Sequence, residues 1–436
     1  MCSKLCVLAD SLISALRKCC ARFPDIRTGN NCGYTMGDIA MAAFSVFFMQ
    51  SPSFLAHQCA LEDRRRRSNC QTLFGMDKIP TDNHVRKMLD PVSPDHLFPV
   101  FSDALGMLSE RGGLAAFRRL DGRLLIALDG TEYFTSQKLS CPNCSHRKRG
   151  GGQQEHYHSL LAATVVAPGH TRVLPLQPEF ITPQDGHKKQ DCESRAVRRW
   201  LAVHGPQYAE FKPVYLGDDL MSRQPICESV QRVGANFIFI AKPASHSTIY
   251  EWIDGAELSV HEERVKKGRH FFTHRYRWIE DVPLRDGKDA LHVNWFEIEI
   301  VNKAGKVTYR NSFITDLTVT KKNVAVLTDC GRARWKIENE NFNTLKTNGY
   351  HLEHNFGHGR QHLASLLATM IFLAFAFHTV CDLADKRWAK ARDVIGPRRP
   401  FFEDLRTITR YMVFPDWSLL IRTMITGEPP PGLLVP

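Results

Sequence analysis

Two apolar runs that each end on an acid constrain this chain more than any other feature. LLIALDG (124–130) and VYLGDD (214–219) are hydrophobic along nearly their whole length, the pattern of strands buried on both faces. Two more runs, HSLLAATVVAPG and TRVLPLQPEFI, follow the first and read as strands. DCESRAVRRWLAVHG and PICESVQRVG then carry a helical period, and ANFIFIAK reads as a further strand. Strands alternating with helices build an α/β fold, and ligand sites in such sheets lie beyond the carboxyl ends of the strands. Asp129 and Asp218 are therefore candidates for chemistry.

The rest of the chain differs in rhythm. Residues 1–115 read as helical, punctuated at Pro24, Pro52, Pro80 and Pro91. Residues 116–244 hold the first part of the α/β core. Residues 245–318 alternate with period two and carry a hairpin signal at Asn302 to Gly305, so they read as a β-rich insertion. Residues 319–390 return to helix and complete the core, and 391–436 form a helical tail. Two apolar stretches, IAMAAFSVFFM (39–49) and LASLLATMIFLAFAF (363–377), fall short of the roughly 20 residues that span a bilayer. They are expected to be buried helices, with no membrane partner.

Composition narrows the class of partner. The 436 residues carry a net charge of +11 and a sequence pI near 9.0, which points to a polyanion such as nucleic acid. Thirteen cysteines are scattered through a chain of this size, which favours reduced thiols over a disulfide framework. Asp10 and Ser11 interrupt the apolar centre a signal peptide would need. A cytoplasmic, nucleoid-associated protein is the expectation.

A third acid stands in RWKIENENFNTLK (334–346). Arg334 and Glu338 are four residues apart and share a helix face. If Asp129, Asp218 and Glu338 converge, they offer the oxygen ligands that Mg²⁺ or Mn²⁺ requires, with room for water and phosphate. Taken singly, each acid has an ordinary structural use as a turn residue, a helix cap or a surface ion pair. Asp219 and Glu340 are the competing choices for the second and third acids.

LIALDGTEY, VYLGDDLMSRQP…GANFIFIAK and RWKIENENFNTLK together resemble the catalytic blocks of DDE transposases of bacterial insertion sequences, in particular the IS-four-like group. The resemblance spans about residues 120–385. It implies an RNase H-like mixed sheet with flanking helices, interrupted by the β-rich insertion. It also implies cleavage of double-stranded DNA at transposon ends and strand transfer, within a homo-oligomeric synaptic complex. Carried over by position, Asp129, Asp218 and Glu338 are the metal-holding acids and Arg334 is the arginine of the tyrosine-arginine-glutamate-lysine signature. The signature's tyrosine falls on Gly331 and its lysine on Leu345, one place before Lys346. On a helix Lys346 lies about 80° round from Glu338, so Lys346 and Arg334 are expected to position a phosphate and Glu338 at the metal site. A metal-dependent nuclease without strand transfer and an inactive DNA-binding derivative fit the same residues.

Other constellations accompany the acids. Cys141, Cys144, His156 and His158 combine a C-x₂-C with an H-x-H, the ligand chemistry of a structural Zn²⁺. The same loop carries Arg147, Lys148 and Arg149, which could contact DNA phosphate. Arg64 and Arg65 in a four-arginine run, Arg275 and Arg277 on an aromatic-rich strand, and Arg360 in the glycine-rich GYHLEHNFGHGRQH are further DNA-contact candidates. In that last stretch a phosphate-binding loop is preferred to a metal site. Asp191 is expected to cap the helix that follows it, with Glu193 an acid of its first turn.

Overall fold

A computed structural model describes residues 7–28, 32–61, 68–183 and 191–429. Its centre is one mixed sheet. The strands in chain order are β1 (Arg118–Arg119), β2 (Arg123–Ser136), β3 (Ser145–Lys148), β4 (Gln154–Val166), β5 (Leu174–Pro175), β6 (Glu179–Ile181), β7 (Val214–Gly217), β8 (Asn236–Ile240), β9 (Ser259–Lys267), β10 (His270–Pro283), β11 (His292–Asn302) and β12 (Val307–Thr315). In space the order runs β3-β4-β2-β7-β8-β12-β11-β10-β9, with β1 beside β2 and β5 and β6 beside β4.

The apolar runs sit where their composition requires. β2, β7 and β8 are parallel to one another, Leu125 opposite Val214 and Tyr215 opposite Phe237. Leu124 to Leu128, Val214 to Leu216 and Phe237 to Phe239 are all buried. TRVLPLQPEFI does not form one strand. Proline cannot donate to a ladder, and the run breaks into β5 and β6, both antiparallel to β4.

The segment 245–318 begins with a helix, Ser247–Ile253, and then forms the four-stranded meander β9–β12. This meander continues the same sheet. β12 pairs antiparallel with β8, Ile314 opposite Phe239, so the free edge of the parallel part is closed by the inserted strands.

Helices from both ends of the chain pack together. Met36–Phe48 starts on Thr35, whose hydroxyl accepts the Asp38 amide at 3.0 Å, and every residue of that helix is buried. A helix apolar on all sides must be enclosed. Its partner is Leu363–Ala384, with Phe44 and Phe377 ring centroids 5.4 Å apart. This second helix is longer than the apolar run implied, 22 residues, because it continues past Phe377 through His378 and Asp382. It meets a membrane span's length and hydropathy, yet 89% of its apolar window is buried within the protein. The tail joins the same body: the Asn69 amide donates to the Thr409 and Met412 carbonyls, and Trp417 Nε1 donates to Leu73.

Candidate active site

β2 does not stop at Asp129. It runs on to Ser136, paired with β4 down to Ser136 opposite His156, so Asp129 lies mid-strand opposite Ala162. Pairing with β7 ends at Ala127 opposite Leu216. Asp129 therefore stands just past the last rung of the parallel ladder, and Asp218 follows directly on β7. Both acids occupy the carboxyl edge of the parallel strands, while β2 and β4 extend beyond it as a hairpin.

The third acid arrives from a segment with three geometries. Val324–Arg332 is α-helix, Ala333–Trp335 is a 3₁₀ turn, Ile337–Phe342 is π-helix, and Asn343–Thr347 is α-helix again. The expected uniform helix is thus widened by a π-turn, a feature that adds a residue to a turn and recurs at functional sites. Buried Asn341 at this turn donates its amide to Thr164 Oγ1 on β4 at 2.7 Å.

Arg334 draws the acids together. Its guanidinium lies 3.2 Å from Asp129 Oδ2 and 2.8 Å from Glu338 Oε1. Burial pushes the Asp129 carboxyl up to about 7; Arg334 opposes this, and Glu193, Glu338 and Asp218 add repulsion. Asp218 Oδ1 accepts the Leu220 amide at 2.9 Å. Asp219 is engaged elsewhere, accepting the Lys242 amide at 2.6 Å and the Ser245 hydroxyl at 2.5 Å. Lys346 pairs with Glu353 at 2.8 Å.

Glu193 belongs to this group, although its place in the first turn of Glu193–His204 reads as helix-dipole matching alone. A Cβ on Gly130 would come within 2.5 Å of Glu193 Oε2, so a glycine beside Asp129 is what admits the carboxylate. Burial raises the Glu193 carboxyl and Asp218 raises it further, while the Gly130 amide and Arg334 act the other way. Its Oε1 is buried without a hydrogen-bond partner. Cys192 takes the cap position of this helix, and Asp191 pairs with Arg199 at 2.7 Å instead.

The sulfur and imidazole groups assemble differently from the C-x₂-C…H-x-H expectation. Cys141, Cys144 and His158 come together, but the fourth member is His358, not His156; all four ligand atoms lie within 4.8 Å of one another. His358 belongs to the loop that follows the Glu338 segment, about two hundred residues away in sequence. Among the described residues no trio of carboxylates is as tightly gathered as this set.

The basic candidates are largely spoken for. Arg147 bonds Glu132 at 2.5 and 3.0 Å and Glu155 at 2.6 Å, and Arg149 bonds Glu155 at 2.8 Å. Lys148 is exposed. Arg275 pairs with Glu262 and Glu299, and Arg277 with Glu297 and Glu299. Tyr276 and Trp278 are buried, so neither is open to stack on a base. The loop carrying Arg360 has no free amide cradle: Asp90 accepts the Arg360, Gln361 and Leu363 N–H groups at 3.0 to 3.2 Å. Arg360 itself is exposed. Arg64 and Arg65 lie outside the described residues.

Compared with known proteins, the chain matches no family model and no curated protein.

Proposed function

We propose that this chain is a metal-dependent DNA transposase on an RNase H-like core, cutting DNA at element ends and joining them to a target. The observation that carries the reading is the placing of three acids from distant segments on one side of the sheet: Asp129 and Asp218 at one edge, and Glu338 tied to Asp129 through Arg334. The antiparallel strands β2 and β4, with the short β5 and β6 following on β4, and the parallel strands β7 and β8 beside β2 agree with such a core. The resemblance of the three sequence blocks supplies the DNA substrate, and the net charge of +11 agrees with it.

The donors suit a hard divalent cation such as Mg²⁺ or Mn²⁺. All are carboxylate oxygens, and Asp129, pushed up to about 7 first by burial and then by its acidic neighbours, together with the unpartnered Glu193 Oε1, marks a half-enclosed acidic site that a cation would relieve. Asp129, Asp218 and Glu338 would hold the metal. When bound, it would polarise phosphate oxygens and favour ionisation of an attacking water or 3′-hydroxyl. Arg334 fixes Asp129 and Glu338 in mutual range and offers a guanidinium to a phosphate oxygen.

The test is cleavage and joining of a labelled duplex bearing the element's terminal sequence, with Mg²⁺ or EDTA, for wild type and Glu338→Gln. Metal-dependent cutting followed by joining, both lost in the variant, supports the proposal. Cutting without joining would make the chain a nuclease. Binding without cutting in wild type would make it a DNA-binding derivative, and cutting by Glu338→Gln would overturn Glu338 in favour of Glu340 or another acid.

A further inference from the structure

Four side chains with no part in the acid cluster make a second site. Cys141 and Cys144 lie between β2 and β3, His158 lies on β4, and His358 lies in the loop 350–362. Their ligand atoms are spaced evenly: Cys141 Sγ to Cys144 Sγ 3.8 Å, His158 Nε2 to the two sulfurs 3.5 and 3.4 Å, and His358 Nε2 to Cys144 Sγ 3.7 Å. Zinc bonds of about 2.3 Å to sulfur and about 2.0–2.1 Å to nitrogen, set tetrahedrally, place sulfurs about 3.8 Å apart and sulfur and nitrogen about 3.6 Å apart. These four spacings match edges of that tetrahedron, and the other two lie within 4.8 Å. They are also far too long for a disulfide.

The surroundings fit a closed metal centre. The Cys144 amide bonds the Cys141 carbonyl at 3.1 Å, and the Cys141 amide points to Cys144 Sγ at 3.4 Å, so the C-x₂-C forms a tight turn around its own sulfurs. Tyr133 stacks on His158 with centroids 5.6 Å apart, and Phe134 lies 4.5 Å from His358, which limits water access. His358 Nδ1 is buried without a partner. Gly359 next to it holds φ +68 and leaves no room for a side chain against Asp90, so the turn that presents His358 is fixed by a glycine.

We propose that Cys141, Cys144, His158 and His358 bind one Zn²⁺ in a closed tetrahedral site that ties the loop 350–362 to β4 and to the connection between β2 and β3. On binding, the two thiols release their protons, and two thiolates with Zn²⁺ form a neutral unit suited to a half-buried position. All four positions are filled by protein, so the metal is structural and has no open position for substrate. It clamps the loop directly following the segment that carries Arg334 and Glu338 to β4 and to the turn leading out of β2, the strand that carries Asp129. The site stands on its own geometry and does not depend on the proposed reaction.

The test is metal analysis of the full chain expressed in zinc-replete medium. One zinc per chain is expected, released by a mercurial and resistant to simple dialysis. His156→Ala should keep the zinc, while Cys144→Ser and His358→Ala should lose most of it and become more readily cut by protease within 350–362. Cobalt substitution of wild type guards against misfolded variants: intense visible ligand-field bands with a thiolate charge-transfer band mark tetrahedral sulfur–nitrogen ligation. Wild type without stoichiometric zinc, a weak octahedral cobalt spectrum, or zinc lost from His156→Ala and kept by His358→Ala would overturn the assignment.

Discussion

Arg334 holds Asp129 and Glu338 at once, 3.2 Å from one carboxylate and 2.8 Å from the other. Its positive charge does not offset the burial of Asp129 and the repulsion of the acids around it, and the carboxyl is still held near 7. The consequence is a pH dependence with a definite sign. A free aspartate titrates near about 3.9, so between about 4 and 7 the folded state keeps a proton that the unfolded chain has released. Stability must fall as pH rises through that window and level off above it. Asp129→Asn should therefore stabilise the metal-free protein at pH 7.5, by on the order of 2–4 kcal/mol at most, and have little effect at pH 4. Thermal melts at the two pH values check this, and an equal shift at both would contradict it.

Divalent cations should supply what Arg334 lacks. With Mg²⁺ at about a hundred times its dissociation constant, binding to the folded state adds about 2.7 kcal/mol. The melting temperature of wild type should rise with Mg²⁺ at pH 7.5 and rise less at pH 5.5, where protons compete for Asp129. The Asp129→Asn, Asp218→Asn double variant should show no rise. An undiminished rise in that variant would place the cation elsewhere.

Gly130 and Glu193 should behave as a coupled pair. Gly130→Ala puts a methyl group into the Glu193 carboxylate, and overpacking of this kind costs about 1–3 kcal/mol. Adding Glu193→Ala should recover most of the loss. Denaturant titrations of the two single variants and the double variant measure the coupling. Simple additivity would show that the two groups do not meet.

Glu297 anchors the charge balance of the inserted strands. It is 2% exposed and receives both Arg277 and Arg310. Glu297→Gln leaves Arg277 and Arg310 to share Glu299 alone and, by weakening charge-assisted hydrogen bonds, should destabilise by about 1.5–3 kcal/mol. The freed arginines should strengthen non-specific DNA binding and steepen its salt dependence. Conversely, Arg275→Ala in wild type should change the salt slope little, because Glu262 and Glu299 already neutralise it. Binding measured across a salt series separates these outcomes.

Some of this was legible in the sequence because the signal was local. An apolar run followed by an aspartate marks a buried strand and its edge, and it pointed to Asp129 and Asp218. The C-x₂-C likewise marked Cys141 and Cys144. What depended on long-range pairing was hidden. His358 reaches the sulfurs only because the loop 350–362 folds back over β2 and β4, and nothing near it in sequence separates it from His351, His354 or His362. Glu193 reads as an ordinary first-turn acid until Gly130 is seen to leave space for it. The alternation within residues 245–318 showed strands but not the helix Ser247–Ile253, and the edge the strands extend is decided by β12 meeting β8. The π-turn was invisible because its register is set by packing and by the bond from Asn341 to Thr164.

That turn alters how positions along RWKIENENFNTLK should be counted. A widened turn takes up one residue more than α geometry does, so eight steps from Glu338 sweep nearly the arc that seven would cover in an unbroken α-helix. Leu345 can then face the core, fully buried, while Lys346 inherits the direction a lysine one place earlier would have had. The two ends of the segment keep separate registers, one answering to Asp129 and the other to the hydrophobic interior. The π-turn at 337–342 is thus a fixed joint between them, with Glu338 in its first half and Asn341, bonded to Thr164, holding its second.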